Sequence, residues 1–339
     1  MKTTPRPGAD LRAEDTAAAT GEPRARSNGL PADAHIGRAH LRVADLERSL
    51  AFYRDVLGMR VVRQEGGLVT LTAGGDAEPS AGGPGTSEPA RRELLVLREV
   101  PGLARRPQRP RTTGLYHVAL LVPSRGALGR ALLGLHAAGY PLRGASDHAV
   151  SESLYLDDPD GNGLEIYADR PRSAWQWQNG QVYITTEPMD IDGVVAAAGE
   201  PAPWRGLPHG TVVGHVHFTV SALGPAAAFY RDVVGFDEVA RIPARNPSLV
   251  GVSAGGYHHH LNLNTWAGEG APPDSDRQAG LDAWELVVPD AAARRALIDR
   301  LAAAGALGGA GGSADGEPVT ARDPDGITLT VSAPVPTSR

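Results

Sequence analysis

One pattern in this chain occurs twice, and that duplication limits the fold more than anything else in the sequence. Ala51-Phe52-Tyr53-Arg54-Asp55-Val56-Leu57-Gly58 returns 177 residues later as Ala228-Phe229-Tyr230-Arg231-Asp232-Val233-Val234-Gly235. The same offset carries His40 onto His217. A strand histidine followed at fixed distance by an amphipathic helix has been duplicated, so the chain must be parsed as repeated modules.

The first module begins at Ile36. Alternation in Ala39-His40-Leu41-Arg42-Val43 predicts a strand, and Asp45 is a suitable N-cap for a helix over Leu46–Val56 that Gly58 ends. Short strands are predicted at 60–64 and 68–72, a Gly/Pro/Ser-rich loop at 74–90, and a last strand at Glu93–Leu97. The second module opens with the strand Gly114–Pro123 and continues with a helix over 125–138. Its strands Ser153–Leu156 and Leu164–Tyr167 are joined by the turn Asp158-Pro159-Asp160-Gly161. Residues 212–266 repeat the first module, and 280–333 repeat the second, with Asp323-Pro324-Asp325-Gly326 as the matching turn.

These spans predict an α+β fold of four βαβββ modules forming two pseudo-symmetric open barrels. By sequence, residues 36–170 hold modules one and two, 171–211 are a linker, and 212–333 hold modules three and four. An N-terminal arm (1–35), predicted to be disordered, and a short tail (334–339) flank them. The repeated Phe-Tyr-Arg-Asp helices and the Asp-Pro-Asp-Gly turns are read as pattern and turn chemistry only.

Composition excludes several classes. At net charge -6 the chain offers no basic surface for nucleic acid. It has no cysteine, which removes disulfides and thiolate metal sites. No apolar run reaches membrane-spanning length, and the arm lacks the apolar core of a signal peptide, so a cytoplasmic protein is expected.

The chemistry sits in histidines. Two-fold alternation puts His215, His217 and Thr219 on one strand face, and His117 on one face with Ala119. Glu165 points opposite to Leu164 and Ile166. Two imidazoles and one carboxylate on one side of an ion leave several coordination positions open. That is the donor set of a non-haem Fe(II) centre able to bind substrate and dioxygen together, and it also accommodates Mn(II).

Several motifs are specific. They are Gly114-Leu115-Tyr116-His117; Asp147-His148-Ala149-Val150-Ser151-Glu152-Ser153-Leu154-Tyr155; Asp158 through Glu165; and Tyr257-His258-His259-His260-Leu261-Asn262-Leu263-Asn264-Thr265-Trp266. On these the chain resembles the vicinal oxygen chelate superfamily and, within it, the extradiol catechol 2,3-dioxygenases, over residues 36–333. The resemblance implies ring opening of an aromatic diol by O2 at an iron held by two strand histidines and a last-strand glutamate. It also implies that Tyr155, ten residues before Glu165, and nearby histidines contact the catecholate.

His117 and Glu165 are two of the implied ligands. The third is His217 if module three packs on module two, or His40 if module one does. Module four carries Ala283 and Thr330 where module two has His117 and Glu165, so the histidine concentration in module three favours His217. Within His258–His260, strand alternation makes His258 and His260 face inward as base candidates and His259 face away. His148 and Tyr155 would orient the substrate. His35, His136 and His209 are expected to be solvated. Two rivals remain on the same fold: a metal-dependent glyoxalase-like isomerase or lyase, and a metal-free drug-binding resistance protein. Exposed sheet edges would make a homodimer unsurprising.

Overall fold

The computed structural model describes residues 29–76, 92–200, 202–242, 249–308 and 318–333. The expectations for most of the arm, for most of the 74–90 loop and for the tail fall outside these residues.

Module one supplies β1 (His35–Val43), α1 (Leu46–Leu50), β2 (Met59–Glu65), β3 (Leu68–Ala73) and β4 (Glu93–Glu99). Module two supplies β5 (Gly114–Leu121), α2 (Arg125–Ala137), β6 (Gly144–Asp147), β7 (Ser151–Asp157) and β8 (Gly163–Asp169). The connection is more ordered than its irregular sequence suggests, with β9 (Trp177–Gln178), β10 (Gln181–Val182), β11 (Glu187–Pro188) and α3 (Ile191–Ala197). Module three holds β12 (Val212–Thr219), α4 (Leu223–Ala228), β13 (Asp237–Ile242), β14 (Leu249–Ser253) and β15 (Leu261–Asn264). Module four holds β16 (Gly280–Val287), α5 (Ala291–Ala303), β17 (Val319–Arg322) and β18 (Thr328–Ser332). Where module two has β6, module four keeps only the isolated bridge Leu307–Ala321 among the described residues.

The sheets do not follow the two consecutive pairs. A nine-stranded sheet, β11-β6-β7-β8-β5-β12-β15-β14-β13, joins module two to module three through antiparallel β5 and β12. A seven-stranded sheet, β17-β18-β16-β1-β4-β3-β2, joins module four to module one. Strand alternation explains how each sheet is used. In the nine-stranded sheet Val118, Leu120, Leu154, Ile166, Val216, Phe218 and Leu261 point to one face and are buried in the core. Burying such a side chain is worth about 1.5–3 kcal/mol, so stability resides on that face. The opposite face carries His117, Tyr155, Glu165, His215 and His217.

The duplicated motif does more than mark the repeat. In both copies the helix widens into a π turn, over Ala51–Val56 and Phe229–Val234. Tyr53 then donates to Asp158 (3.0 Å) and Tyr230 to Asp323 (2.9 Å). Ala44 N–H also bonds Asp160, as Ser221 N–H bonds Asp325. The Asp-Pro-Asp-Gly turns are therefore docking points. They tie module one to two and three to four, while the sheets tie two to three and four to one.

Candidate metal centre

Sheet register assembles the cluster. Ala119 on β5 pairs with Glu165 on β8 and with His215 on β12, so one row runs Glu165–Ala119–His215. The neighbouring row pairs His117 with His217. The methyl group of Ala119 leaves a space between Glu165 and His215, and His117 leans into it from the next row. The His117 Nε2 lies 2.9 Å and the His215 Nε2 3.1 Å from Glu165 Oε2. All three residues are buried, with one donor atom from each lying within 4.8 Å of the others.

The third donor in this cluster is the imidazole of His215. His217 shares the face, but its Nε2 is bonded to Asn264 Nδ2 at 2.9 Å. Asn264 Oδ1 accepts from Trp266 N–H (2.9 Å), which fixes the amide with its NH2 towards His217. That lone pair is already used. The alternative, His40, belongs to β1 of the other sheet, where it pairs with Ala283 and Val96.

Protonation suits a cation. Burial holds His117 below the ordinary imidazole range. Burial alone would raise Glu165, but the His215 and His117 imidazoles hold it well below the usual carboxylate range. The result is a neutral imidazole against an ionised carboxylate, the state in which these groups ligate metals. His117 Nε2 is buried without a hydrogen-bond partner even though it faces Glu165. A donor atom aimed at a shared point and left unsatisfied fits a divalent ion there.

The cluster opens on a cavity of about 540 Å³ lined by Tyr116, His148, Tyr155, Ile184, His259 and Trp266, among others. Tyr116 is the extra residue in a bulge, since His117 pairs with His217 but Leu115 with Phe218. The bulge turns Tyr116 onto the cavity face, 4.9 Å from the His217 ring and 4.8 Å from Trp266 between ring centroids. His148 Nδ1 lies 2.6 Å from the Thr185 carbonyl, which only accepts, so Nδ1 carries the proton. His148 Nε2 therefore accepts from the Tyr155 hydroxyl at 2.6 Å. Burial, then Glu165, push the Tyr155 phenol well above its ordinary range, so it stays protonated.

The histidine run differs from its strand reading. Residues 257–260 form an irregular turn before β15 begins at Leu261, so two-fold alternation does not apply. His259 lines the cavity, 4.2 Å from the His215 ring, while His258 and His260 turn away. His260 Nδ1 accepts from Ala254 N–H at 3.2 Å, and burial pushes its pKa down to about 3. His209, expected in solvent, is buried at 6% exposure. The linker residues Ile184–Thr186 were missed as cavity wall. The Ile-Thr-Thr run offered no periodic signal that could place them there.

Fold and cluster together define a βαβββ-repeat protein with a buried two-histidine, one-carboxylate site. The sequence matches the Glyoxalase/Bleomycin resistance protein/Dioxygenase superfamily over residues 34–166 and 212–331, and the chain belongs to that family. It is 46% identical over 258 residues to a catechol-2,3-dioxygenase of Bacillus subtilis (strain 168), covering 76% of this chain and 84% of that protein. It is 32% identical over 148 residues to biphenyl-2,3-diol 1,2-dioxygenase 3 of Rhodococcus globerulus, covering 43% of this chain and 70% of that protein. Among solved structures, glyoxalase I from Zea mays shares the fold at TM-score 0.53 and 16% identity, covering 88% of this chain and 92% of that one. Among the described residues no helix is long and apolar enough to cross a membrane.

Proposed function

We propose that the chain performs extradiol cleavage of a catechol-type diol by O2, using one Fe(II), or in its place Mn(II), held by His117, Glu165 and His215. The observation that carries this reading is the buried cluster of three donors at the floor of a cavity that also presents a protonated phenol and a free imidazole nitrogen. The ion would supply Lewis acidity towards both ring oxygens, open positions for diol and O2, and a path for electrons between them.

The chain's own groups do the rest. Tyr116 and Trp266, packed edge to face, give an aromatic ring an apolar wall to lie against. His259 Nε2, buried and without a partner, is placed to take a proton from a substrate hydroxyl and return it as the ring opens. Burial, then His215 and His258, hold His259 well below the imidazole range, so it enters the reaction as a neutral imidazole. Tyr155 donates to His148 in the free cavity and can turn its O–H to a developing oxyanion. Thr185 forms part of the cavity wall and holds His148 through its carbonyl.

The 46% identity to a catechol-2,3-dioxygenase supports the same reading. A glyoxalase-like isomerase would need a fourth protein ligand, and His259 falls outside the three-residue cluster. A metal-free binding protein has no use for an ionised carboxylate buried at 2% exposure. The test is O2 uptake with anaerobically Fe(II)-loaded protein and a panel of catechols. Stoichiometric uptake with a yellow ring-opened product is expected. A fully loaded, folded protein that leaves every catechol intact would defeat the proposal.

A further inference from the structure

We propose that Asp169 and His258 act as positioning residues that lock the tautomer of His259, so that its Nε2 lone pair is always the one offered to the cavity. The reading of that lone pair as a base for a diol hydroxyl rests on the proposed function; the tautomer itself does not.

The chain of hydrogen bonds dictates the direction. Asp169 Oδ1 lies 2.8 Å from His258 Nε2, and an ionised carboxylate only accepts, so Nε2 of His258 carries the proton. With a single ring proton, His258 has its lone pair on Nδ1. That atom lies 2.7 Å from His259 Nδ1, which must therefore be the donor. With its proton on Nδ1, His259 has a bare Nε2, and this is the atom buried without a partner beside the His215 ring. The bond made by one ring nitrogen thus decides the state of the other.

The far end is also pinned as an acceptor. Tyr257 donates its hydroxyl to Asp169 Oδ1 at 3.2 Å and lies 2.7 Å from the Tyr167 hydroxyl. Tyr167 keeps its place because residue 214 is glycine: a Cβ there would overlap the Tyr167 oxygen. The Trp175 ring stands 5.0 Å from His258, whose side chain is fully buried, so no water competes for either nitrogen. None of the metal-type donors takes part in these bonds.

Fixing the tautomer has a chemical consequence. A proton taken from a substrate hydroxyl arrives at Nε2, leaving an imidazolium whose Nδ1–H is already bonded to His258. Its charge is met through that ring by the Asp169 carboxylate. In the other tautomer Nε2 carries a hydrogen and cannot accept at all.

The experiment uses full-length protein labelled with 15N in histidine, both metal-free and with diamagnetic Zn(II). Imidazole nitrogen shifts report directly which nitrogen carries hydrogen. Wild type should show His259 protonated on Nδ1 alone. Asp169→Leu and His258→Phe should each give a mixed or reversed His259 tautomer. In the Fe(II) enzyme they should lower kcat on the order of 10–100-fold with KM for the catechol little changed. Asp169→Glu, which keeps an acceptor, should restore both signals in part. Finding wild-type His259 protonated on Nε2 overturns the proposal, as would an Asp169→Leu protein with unchanged tautomer and kcat. If both variants fail to fold, the wild-type spectrum still decides. Failure of wild type to cleave any catechol would sink the dioxygenase reading while the spectrum judges the tautomer separately.

Discussion

Replacing His215 and His217 one at a time separates the proposed ligand from its neighbour on the same strand. Both are buried, both face the cavity, and they are two residues apart, so cost to folding alone should be similar. The difference lies in what each Nε2 does: His215 points at Glu165 (3.1 Å), whereas His217 receives the Asn264 amide (2.9 Å). Losing a group that merely supports a ligand weakens a metal site roughly 10–100-fold. Losing one of only three donors should cost at least the upper figure, about 2.8 kcal/mol. With Mn(II) at about 100 times the wild-type Kd, binding stabilises the wild type by about 2.7 kcal/mol. At the same concentration His215→Ala should retain only about 0.4 kcal/mol of that gain. Thermal melts with and without Mn(II), supported by metal content after desalting, read this out. Wild type and His217→Ala should both melt several degrees higher with metal, and His215→Ala should scarcely move. A metal-responsive His215→Ala together with an unresponsive His217→Ala would refute the assignment.

Other outcomes follow from the same geometry. Burial lifts the carboxyls of Asp158 and Asp323 to about 6, so the folded state binds their protons more tightly than the unfolded chain. Stability should therefore fall as pH rises from about 4 to about 6, by up to about 3 kcal/mol for each group. In denaturant titrations Asp158→Asn should flatten that slope, and an unchanged slope would count against the raised pKa. At Gly163 a Cβ would overlap the Tyr116 carbonyl oxygen and lie 3.2 Å from His117 Cβ. Gly163→Ala should cost about 1–3 kcal/mol and weaken Mn(II) binding, and a variant with wild-type melts and metal affinity would contradict this. Glu285→Gln breaks a pair whose carboxylate side chain is 8% exposed and whose arginine is 29% exposed. It should lower stability by about 1–3 kcal/mol while leaving metal binding intact, since the pair belongs to the other sheet; lost metal affinity would show that the sheets are coupled.

Much of this fold was written locally. The repeat announced the modules, alternation predicted most strands to within a residue or two, and Asp45 caps its helix by accepting from Arg48 N–H. Glu165 and His117 stood inside motifs that fix their faces. What could not be read was everything decided by register between distant strands. The repeat aligns His40 with His217 and so drew attention to that residue. The row containing Ala119 is set by hydrogen bonding between β5 and β12, and that row selects His215. The histidine run misled for a related reason: alternation holds only inside a strand, and the tight turn after Gly255 and Gly256 holds residues 257–260 outside one. The Asp-Pro-Asp-Gly turns showed their turn chemistry, but the tyrosines that dock on them lie about 100 residues away in sequence.

The same register explains why, among the described residues, a duplicated chain has one such site rather than two. In the seven-stranded sheet Ala283 stands opposite His40 as His117 stands opposite His217, and Thr330 pairs with Glu285 as Glu165 pairs with Ala119. The repeat offset puts Arg38 where module three has His215. Arg38 reaches Glu285 through Nε (2.9 Å) and Nη2 (3.3 Å) and reaches Glu93 through Nη1 (2.9 Å). A guanidinium delivers its charge and its hydrogen bonds from a covalently tethered group, so these two carboxylates need no ion from solution. Glu285 also occupies the small-residue position that Ala119 keeps open in the other sheet, which leaves no space for one. Loss of the donors, filling of the gap and arrival of a fixed cation are therefore one coupled change. A buried pair of this kind contributes little net stability over an apolar replacement. Its physical role is to let one half of the duplication close permanently, while the other keeps a gap that an exchangeable ion and its substrate can enter.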